Sequence, residues 1–362
     1  MENKLTNAEV SDAIDELVAS LGIKEDAPRS RLLALFRKGQ TKECIKDIAS
    51  HLGLPIDINL TYVSSTYRPE EKVRFESRHL VTTNCAGQST SGITAQVDIP
   101  PTLPLYGTAQ LKGFPINVRI SKNSADYPES FCVIMAHELS HVVLHSICHV
   151  QRHNEFYTDL SAMILGFSKI MRNGRKVSEE KRTTNFGYLT DQQFDFAFEK
   201  VNKLLRDHRN RKSEFGTKVQ AYSRAVKASK KALLRFHQFL KCLDQRRHLR
   251  MPITDSRRII SFHDPTYAYK FEASLKTHEK TLQDMESFHQ TFVHYTSHSS
   301  ALLQRHDAEV QTLYTALKET FEPLHKDIKL LKGYVGLWNR LKVQLQALLR
   351  DTTRFPKRFG RH

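Results

Sequence analysis

The chain has 362 residues, 40% of them hydrophobic and 26% charged, which is enough apolar material for a sizeable core divided over about two domains. Lys and Arg outnumber Asp and Glu by 55 to 39, a formal charge of +16 that points to acidic partners. Five scattered cysteines, Cys44, Cys85, Cys132, Cys148 and Cys242, exclude a secreted disulfide framework. The polar start Met1–Thr6 is unlike a signal peptide, and no apolar run approaches the roughly 18 residues of a membrane span. The expectation is a cytoplasmic, soluble protein without a membrane partner.

Residues 1–52 read as a helical segment, with Ile14, Leu17 and Leu21, then Leu32, Leu33, Leu35 and Phe36, then Ile45, Ile48 and Leu52 at helical spacing. Three β-branched or alternating runs follow, Ile56–Ser65, Ile93–Ile99 and Leu111–Ile120, and predict a small sheet. Cys85, in Thr83–Gly87, reads as an ordinary loop cysteine. A helix then opens near Tyr127, with Asp126 or a neighbour as cap and Pro128 in the first turn, where its missing N–H costs least. Phe131, Val133, Ile134, Met135 and Ala136, then Leu139, Val142, Val143 and Leu144, make it apolar almost all round. It is therefore expected to be buried, and the ionisable His137, Glu138 and His141 within it need a partner.

That partner is expected to be zinc. Residues four apart on a helix stack one turn above each other, so His137 and His141 can offer two imidazole nitrogens to one ion, with Glu138 beside it as general base. A catalytic zinc needs a third protein ligand. Glu155 supplies it at the start of the following apolar helix, and Asp159, one turn on, would hold a ligand histidine in its tautomer. His145, Cys148, His149 and His153 are spread around the helix and its exit, so a second metal site is not expected; His145 reads as a helix-end hydrogen-bonding residue. His153, Tyr157 and Tyr188 are the candidates for stabilising an oxyanion.

His137-Glu138-x-x-His141 with Glu155-x-x-x-Asp159 resembles the gluzincin metallopeptidases, the thermolysin-like group. Asn154-Glu155 and Thr158-Asp159 are similar to the Asn-Glu-x-x-Ser-Asp segment of thermolysin, which adds Asn154 to the supporting residues. Residues 95–170 also resemble the ImmA/IrrE-type bacterial metallopeptidases, with the strand-like Ile116–Ile120 before the helix and Leu144-His145 at its end. Ser140 and Thr158 stand where that family often has glycine and alanine. The resemblance implies a zincin-like domain over 53–192, in which the strand preceding the helix is an edge strand that pairs with an extended peptide substrate.

After Phe186–Asp191, a helix capped by Thr190 or Asp191 is predicted through Phe194, Phe198, Val201 and Leu205. Residues 200–258 carry 18 basic against four acidic side chains, including Arg206, Arg209, Arg211, Lys212, Lys227, Lys230, Lys231, Arg246, Arg247, Arg250, Arg257 and Arg258. Such density suits nucleic acid or an acidic partner, and also suits a solvated helix face whose acidic partners come from the same fold. Met251–Thr254 and Phe262–Pro265 mark a connection. From Tyr267, a near-heptad pattern of Leu275, Leu282, Met285, Phe292, Tyr295, Leu303, Val310, Leu313, Leu317 and Phe321 predicts one helix of about 55 residues. Pro323 should break or kink it before a last helix containing Leu324, Ile328, Leu331, Val335, Trp338, Leu345 and Leu348.

The expected fold is α+β and mostly helical, with a catalytic domain at 53–192 and a basic extension at 193–362 that forms a helical bundle, a coiled coil or a homodimer. Two functions compete. One is a zinc metallopeptidase whose extension recruits or regulates a protein substrate. The other is a non-catalytic scaffold whose basic extension binds nucleic acid or a partner protein.

Overall fold

The structure is a computed structural model and describes residues 6–64, 95–179, 182–244, 265–291 and 297–352. Cys85, Arg246, Arg247, Arg250, Arg257, Arg258, the connection between Met251 and Asp264, Phe292 and Tyr295 lie outside these residues. The chain is mostly helical with a small three-stranded sheet, and it divides into two compact units, Met1–Arg209 with Val293–Ser300, and Asn210–Phe292 with Ala301–His362. One helix, Asp191–Asp244, runs through the position 192/193 at which a boundary was expected.

In the first unit, helix α1 (Asn7–Leu21) begins with a reciprocal cap in which Thr6 and Glu9 satisfy each other's backbone amides. It buries Val10, Ile14, Leu17 and Leu21. Helices α2 (Arg29–Arg37) and α3 (Thr41–Leu52) follow, burying Leu32, Leu33 and Phe36, then Ile45, Ile48 and Leu52. Strands β1 (Asp57–Val63), β2 (Ala95–Asp98) and β3 (Pro115–Ser121) form a sheet of order β1-β3-β2, with β1 parallel and β2 antiparallel to β3. Two expectations are corrected here. The third strand starts at Pro115, because Ala109–Leu111 coil into a 3-10 turn, and it is the central strand of the sheet. The strand expected at the edge is therefore flanked on both sides; among the described residues β2 lies at an edge of the sheet, and it touches the helix that follows.

That helix, α4 (Pro128–Ser146), has Pro128 in its first turn and no side-chain cap, so Asp126 does not serve as one. Every residue from Ser130 to Leu144 is buried. Phe36 stacks on Phe131 with centroids 4.0 Å apart, an aromatic pair worth about 1 kcal/mol beyond the burial of its rings. Helix α5 (Glu155–Ala162) and helix α6 (Ser168–Gly174) pack along α4, and the π turn between them (Met163–Phe167) packs against α1 and α3. The π turn contains Gly166 at φ +100, whose carbonyl accepts from the Ala27 amide while Ile164 accepts from Lys24. A hairpin of β4 (Lys176–Glu179) and β5 (Arg182–Asn185) leads to α7 (Asp191–Asp244), capped by Thr190 and Gln193 in another reciprocal pair.

In the second unit, α7 from Asn210 packs with α8 (Pro265–Thr291) and α9 (Ser297–Tyr334). Phe215 meets Phe288 and Tyr222 meets His278, so α7 and α8 are antiparallel. Phe271 meets Phe321 and Phe288 meets His306, so α8 and α9 are antiparallel as well. The single helix of about 55 residues is thus a helical hairpin, its heptad positions Leu275, Leu282, Met285, Leu303, Val310, Leu317 and Phe321 buried. Pro323 does not end α9, which continues to Tyr334; Gly336 separates it from α10 (Leu337–Thr352). The last helix also departs from the sequence pattern, since Trp338, Leu345 and Leu348 are exposed while Val335 and Val343 are buried.

Gly166 is the sharpest local test of this packing. A Cβ there would land on the Glu25 carbonyl oxygen and beside the His51 ring, at a φ that L-residues avoid. Gly166→Ala is expected to cost at least about 2 kcal/mol of unfolding free energy, read from urea denaturation, whereas Gly39→Ala, with open space around it, should cost only its backbone strain of about 1 kcal/mol.

Candidate metal centre

Helix α4 brings His137 and His141 to one face, and α5, crossing beside it, brings Glu155 to the same point. His137 Nε2 lies 3.0 Å and His141 Nε2 3.2 Å from the same Glu155 oxygen, Oε2. One ligand atom from each residue lies within 4.8 Å of the others. A tetrahedral ion with bonds of about 2.0–2.2 Å separates its ligand atoms by about 3.3–3.6 Å, so a slight widening of this cluster would fit zinc. Among the described residues, no other three His, Cys, Asp or Glu side chains gather in this way.

The far sides of both rings are held by the protein. His137 Nδ1–H donates to Asp159 Oδ1 at 2.6 Å. Asp159 Oδ2 accepts from the amides of Tyr188 at 2.6 Å and Leu189 at 3.3 Å. Gly187, at φ +95, lets this loop close over the carboxylate, since a Cβ there would sit 3.0 Å from Asp159 Oδ2. Thr158 Oγ1 donates to the Asn154 carbonyl at 3.2 Å and sits 3.2 Å from His141 Nδ1, from which it accepts. Both imidazoles therefore present Nε2 toward Glu155, the tautomer that ligation requires. Asn154 supports the site indirectly: its side chain caps α5 through the Phe156 amide and bonds Gln151.

Electrostatics favour a cation at this point. Burial alone would depress the His137 imidazole, but Asp159, with Glu155 and Glu138, outweighs it and raises it to about 10. Burial also pushes Glu155 up, yet the bonds from His137 and His141 hold it well below the usual carboxylate range. His141 is lowered by burial, although Glu155 counteracts it. The field that makes His137 keep a proton would also attract a divalent ion, and the donor set of two imidazoles and a carboxylate is one that zinc accepts.

Glu138 is not a ligand in this arrangement. It is 1% exposed; burial, reinforced by the Glu155 charge, pushes its carboxyl well above the ordinary value, while His137 and, less strongly, a backbone hydrogen bond from Val97 of β2 act against this. The contact with Val97 links the acid to the sheet edge, and no local sequence signal announced it. The same holds for the Tyr188 and Leu189 amides on Asp159, for which Gly187 was the one available hint.

The three oxyanion candidates separate. Tyr157 donates its hydroxyl to Glu16 at 2.9 Å, and His153 meets His145 edge to face, centroids 4.9 Å apart. Tyr188 instead stacks on His137, centroids 5.7 Å apart. Burial, reinforced by Glu155, Glu138 and Asp159, raises its hydroxyl above the ordinary range, so it remains a neutral donor. His145, in the last turn of α4, is depressed to about 4 by burial and by the neighbouring His153, His141 and Arg152. No family model, curated protein or solved structure matches the chain.

Because Asp159 fixes both the His137 tautomer and the loop amides, Asp159→Asn should weaken zinc binding by about 10–100-fold in competition with a chromophoric chelator. Thr158→Val, which removes one hydroxyl from His141, should weaken it less.

Proposed function

We propose that the chain is a zinc-dependent peptide hydrolase with a zincin-like catalytic unit. The observation that carries this reading is a fourth ionisable group. His137, His141 and Glu155 suffice to hold a metal, yet Glu138 is buried beside them without belonging to the ligand set. A structural zinc site needs no such carboxylate, and keeping one in an apolar helix costs desolvation energy.

When bound, zinc would polarise a scissile carbonyl and make water more acidic. Glu138 takes a proton from that water and passes it to the leaving amine. Tyr188 donates to the oxygen on which negative charge develops. Strand β2, antiparallel at an edge of the sheet among the described residues and joined to Glu138 through Val97, is the strand along which an extended peptide would pair, replacing β3 in that role. The Glu155 side chain is 29% exposed, so the cluster opens toward solvent on that side.

The competing reading, a scaffold whose basic helices bind nucleic acid or a partner protein, rests on the charge of residues 200–258. Several of those cations are already paired within their own units: Lys200 with Asp15, Arg209 with Glu25 and Asp26, Lys218 with Asp307, and Lys230 with Glu279. This supports the solvated-face explanation for part of the segment and leaves the hydrolase reading in front.

Elemental analysis of the parent should give one zinc per chain, falling in His141→Ala and Glu155→Ala. Glu138→Gln should keep its zinc while losing about 100-fold or more of the cleavage of a mixed peptide pool followed by mass spectrometry. A folded parent that takes up no zinc, or a Glu138→Gln variant that cleaves as fast as the parent, would remove this function.

A further inference from the structure

Half of the exposed large hydrophobic side chains among the described residues lie on one helix of 16 residues, α10. Leu337 is 71%, Trp338 84%, Leu341 45%, Leu345 58% and Leu348 55% exposed. At about 100° per residue these five positions fall within an arc of about 100°. Val343, only 1% exposed, projects from the opposite side. The helix is thus anchored to its unit by the narrow face carrying Val343, and its broad apolar face points away. The remaining exposed large hydrophobics, Tyr62, Leu105, Val150, Tyr188 and Tyr269, are dispersed along the chain, as is normal for a soluble surface.

The charges around this stripe indicate its partner. Arg340 and Lys342 flank the arc on its two sides, and within α10 the only carboxylate is Asp351. The ten residues after Thr352 add Arg354, Lys357, Arg358 and Arg361 and no acidic side chain. Leucines with one tryptophan on one face, cations at both margins and low net hydrophobicity are the composition of a helix lying in a lipid interface. The aliphatic stems of Arg340 and Lys342 can lie along the acyl boundary while their charges reach phosphates. A second copy fits less well, since symmetric pairing of the stripe would set Arg340 and Lys342 against their own counterparts on a chain of charge +16.

We propose that α10 is a peripheral membrane-binding helix that seats its Leu337–Leu348 stripe in an anionic lipid surface. The expectation of no membrane partner rested on the lack of a spanning segment, and no described helix is long and apolar enough to cross a membrane. Lying on a bilayer requires neither that length nor that hydropathy.

Trp338 is the chain's one tryptophan, so its emission reports this helix alone. The full chain would be mixed with phosphatidylcholine vesicles, with or without about a third phosphatidylserine, and followed by tryptophan emission and co-sedimentation. Expected are a blue shift and sedimentation with the anionic vesicles only, weakened on raising salt from about 0.1 to 0.5 M. A Leu341→Ser/Leu345→Ser variant with unchanged circular dichroism should bind at least about tenfold more weakly. Lys342→Glu should lower binding without touching the apolar arc. The proposal fails if neither vesicle shifts the emission, or if the serine variant binds undiminished, which would assign binding to basic residues elsewhere. It fails equally if the emission shifts with protein concentration alone as a dimer forms, or with an acidic polypeptide but with no vesicle.

Discussion

Asp159 receives three hydrogen bonds that would otherwise have no common acceptor: the His137 ring from α4 and the Tyr188 and Leu189 amides from the loop before α7. A carboxylate that is 1% exposed survives in an apolar core only when its lone pairs are occupied and a positive charge faces it. The bonds meet the first requirement, and a cation at the His137 ring, whether a proton, which Asp159 makes the ring hold more tightly, or a metal ion, meets the second. The position of α5 against α4, the closure of the loop over Gly187 and the orientation of His137 all follow from keeping this one group solvated by protein.

The same constraint explains how an otherwise apolar helix can hold three polar residues. Burying His137, Glu138 and His141 costs several kcal/mol unless each is compensated. His137 is compensated by Asp159, His141 by Thr158 and Glu155, and Glu138 by the Val97 backbone together with a raised affinity for its proton. Glu155 then faces two imidazoles with one oxygen, an arrangement that a divalent ion would stabilise further by drawing all three donors to one centre. Site and fold are thus linked: the polar cluster is costly where it stands, and the elements that reduce that cost also give it its geometry.

What could be read from the sequence follows from the range of the interactions involved. His137, Glu138 and His141 are related by a single helical turn, and Glu155 and Asp159 by another, so both sets were visible as spacing. The order of strands was not, because the sheet pairs β3 with residues 57–63 and 95–98, and nothing local to Pro115–Ser121 says which neighbours it has. Backbone donors carry no side-chain signature, which hid Val97, Tyr188 and Leu189. In the second unit the heptad spacing of Leu275 to Phe321 correctly marked a buried face. It was silent about the reversal that brings Phe271 to Phe321, since a periodic stripe is the same whether a helix packs on another segment or on itself folded back.

Periodicity is equally silent about what covers a stripe, and α10 is where that matters most. Val335 and Val343 are buried while Trp338, Leu345 and Leu348 of the same apolar series face outward. Hydrophobic burial would favour rotating the helix to hide the larger face, by roughly 1.5–3 kcal/mol for each large side chain fully removed from water. The smaller face packs instead, and among the described residues the larger one stays exposed. The cations beside the stripe would be poorly placed in a protein interior and are well placed against phosphate groups. A stripe of leucine and tryptophan read from sequence as core thus becomes, once its orientation is known, a surface that needs an external apolar phase with negative charge at its boundary.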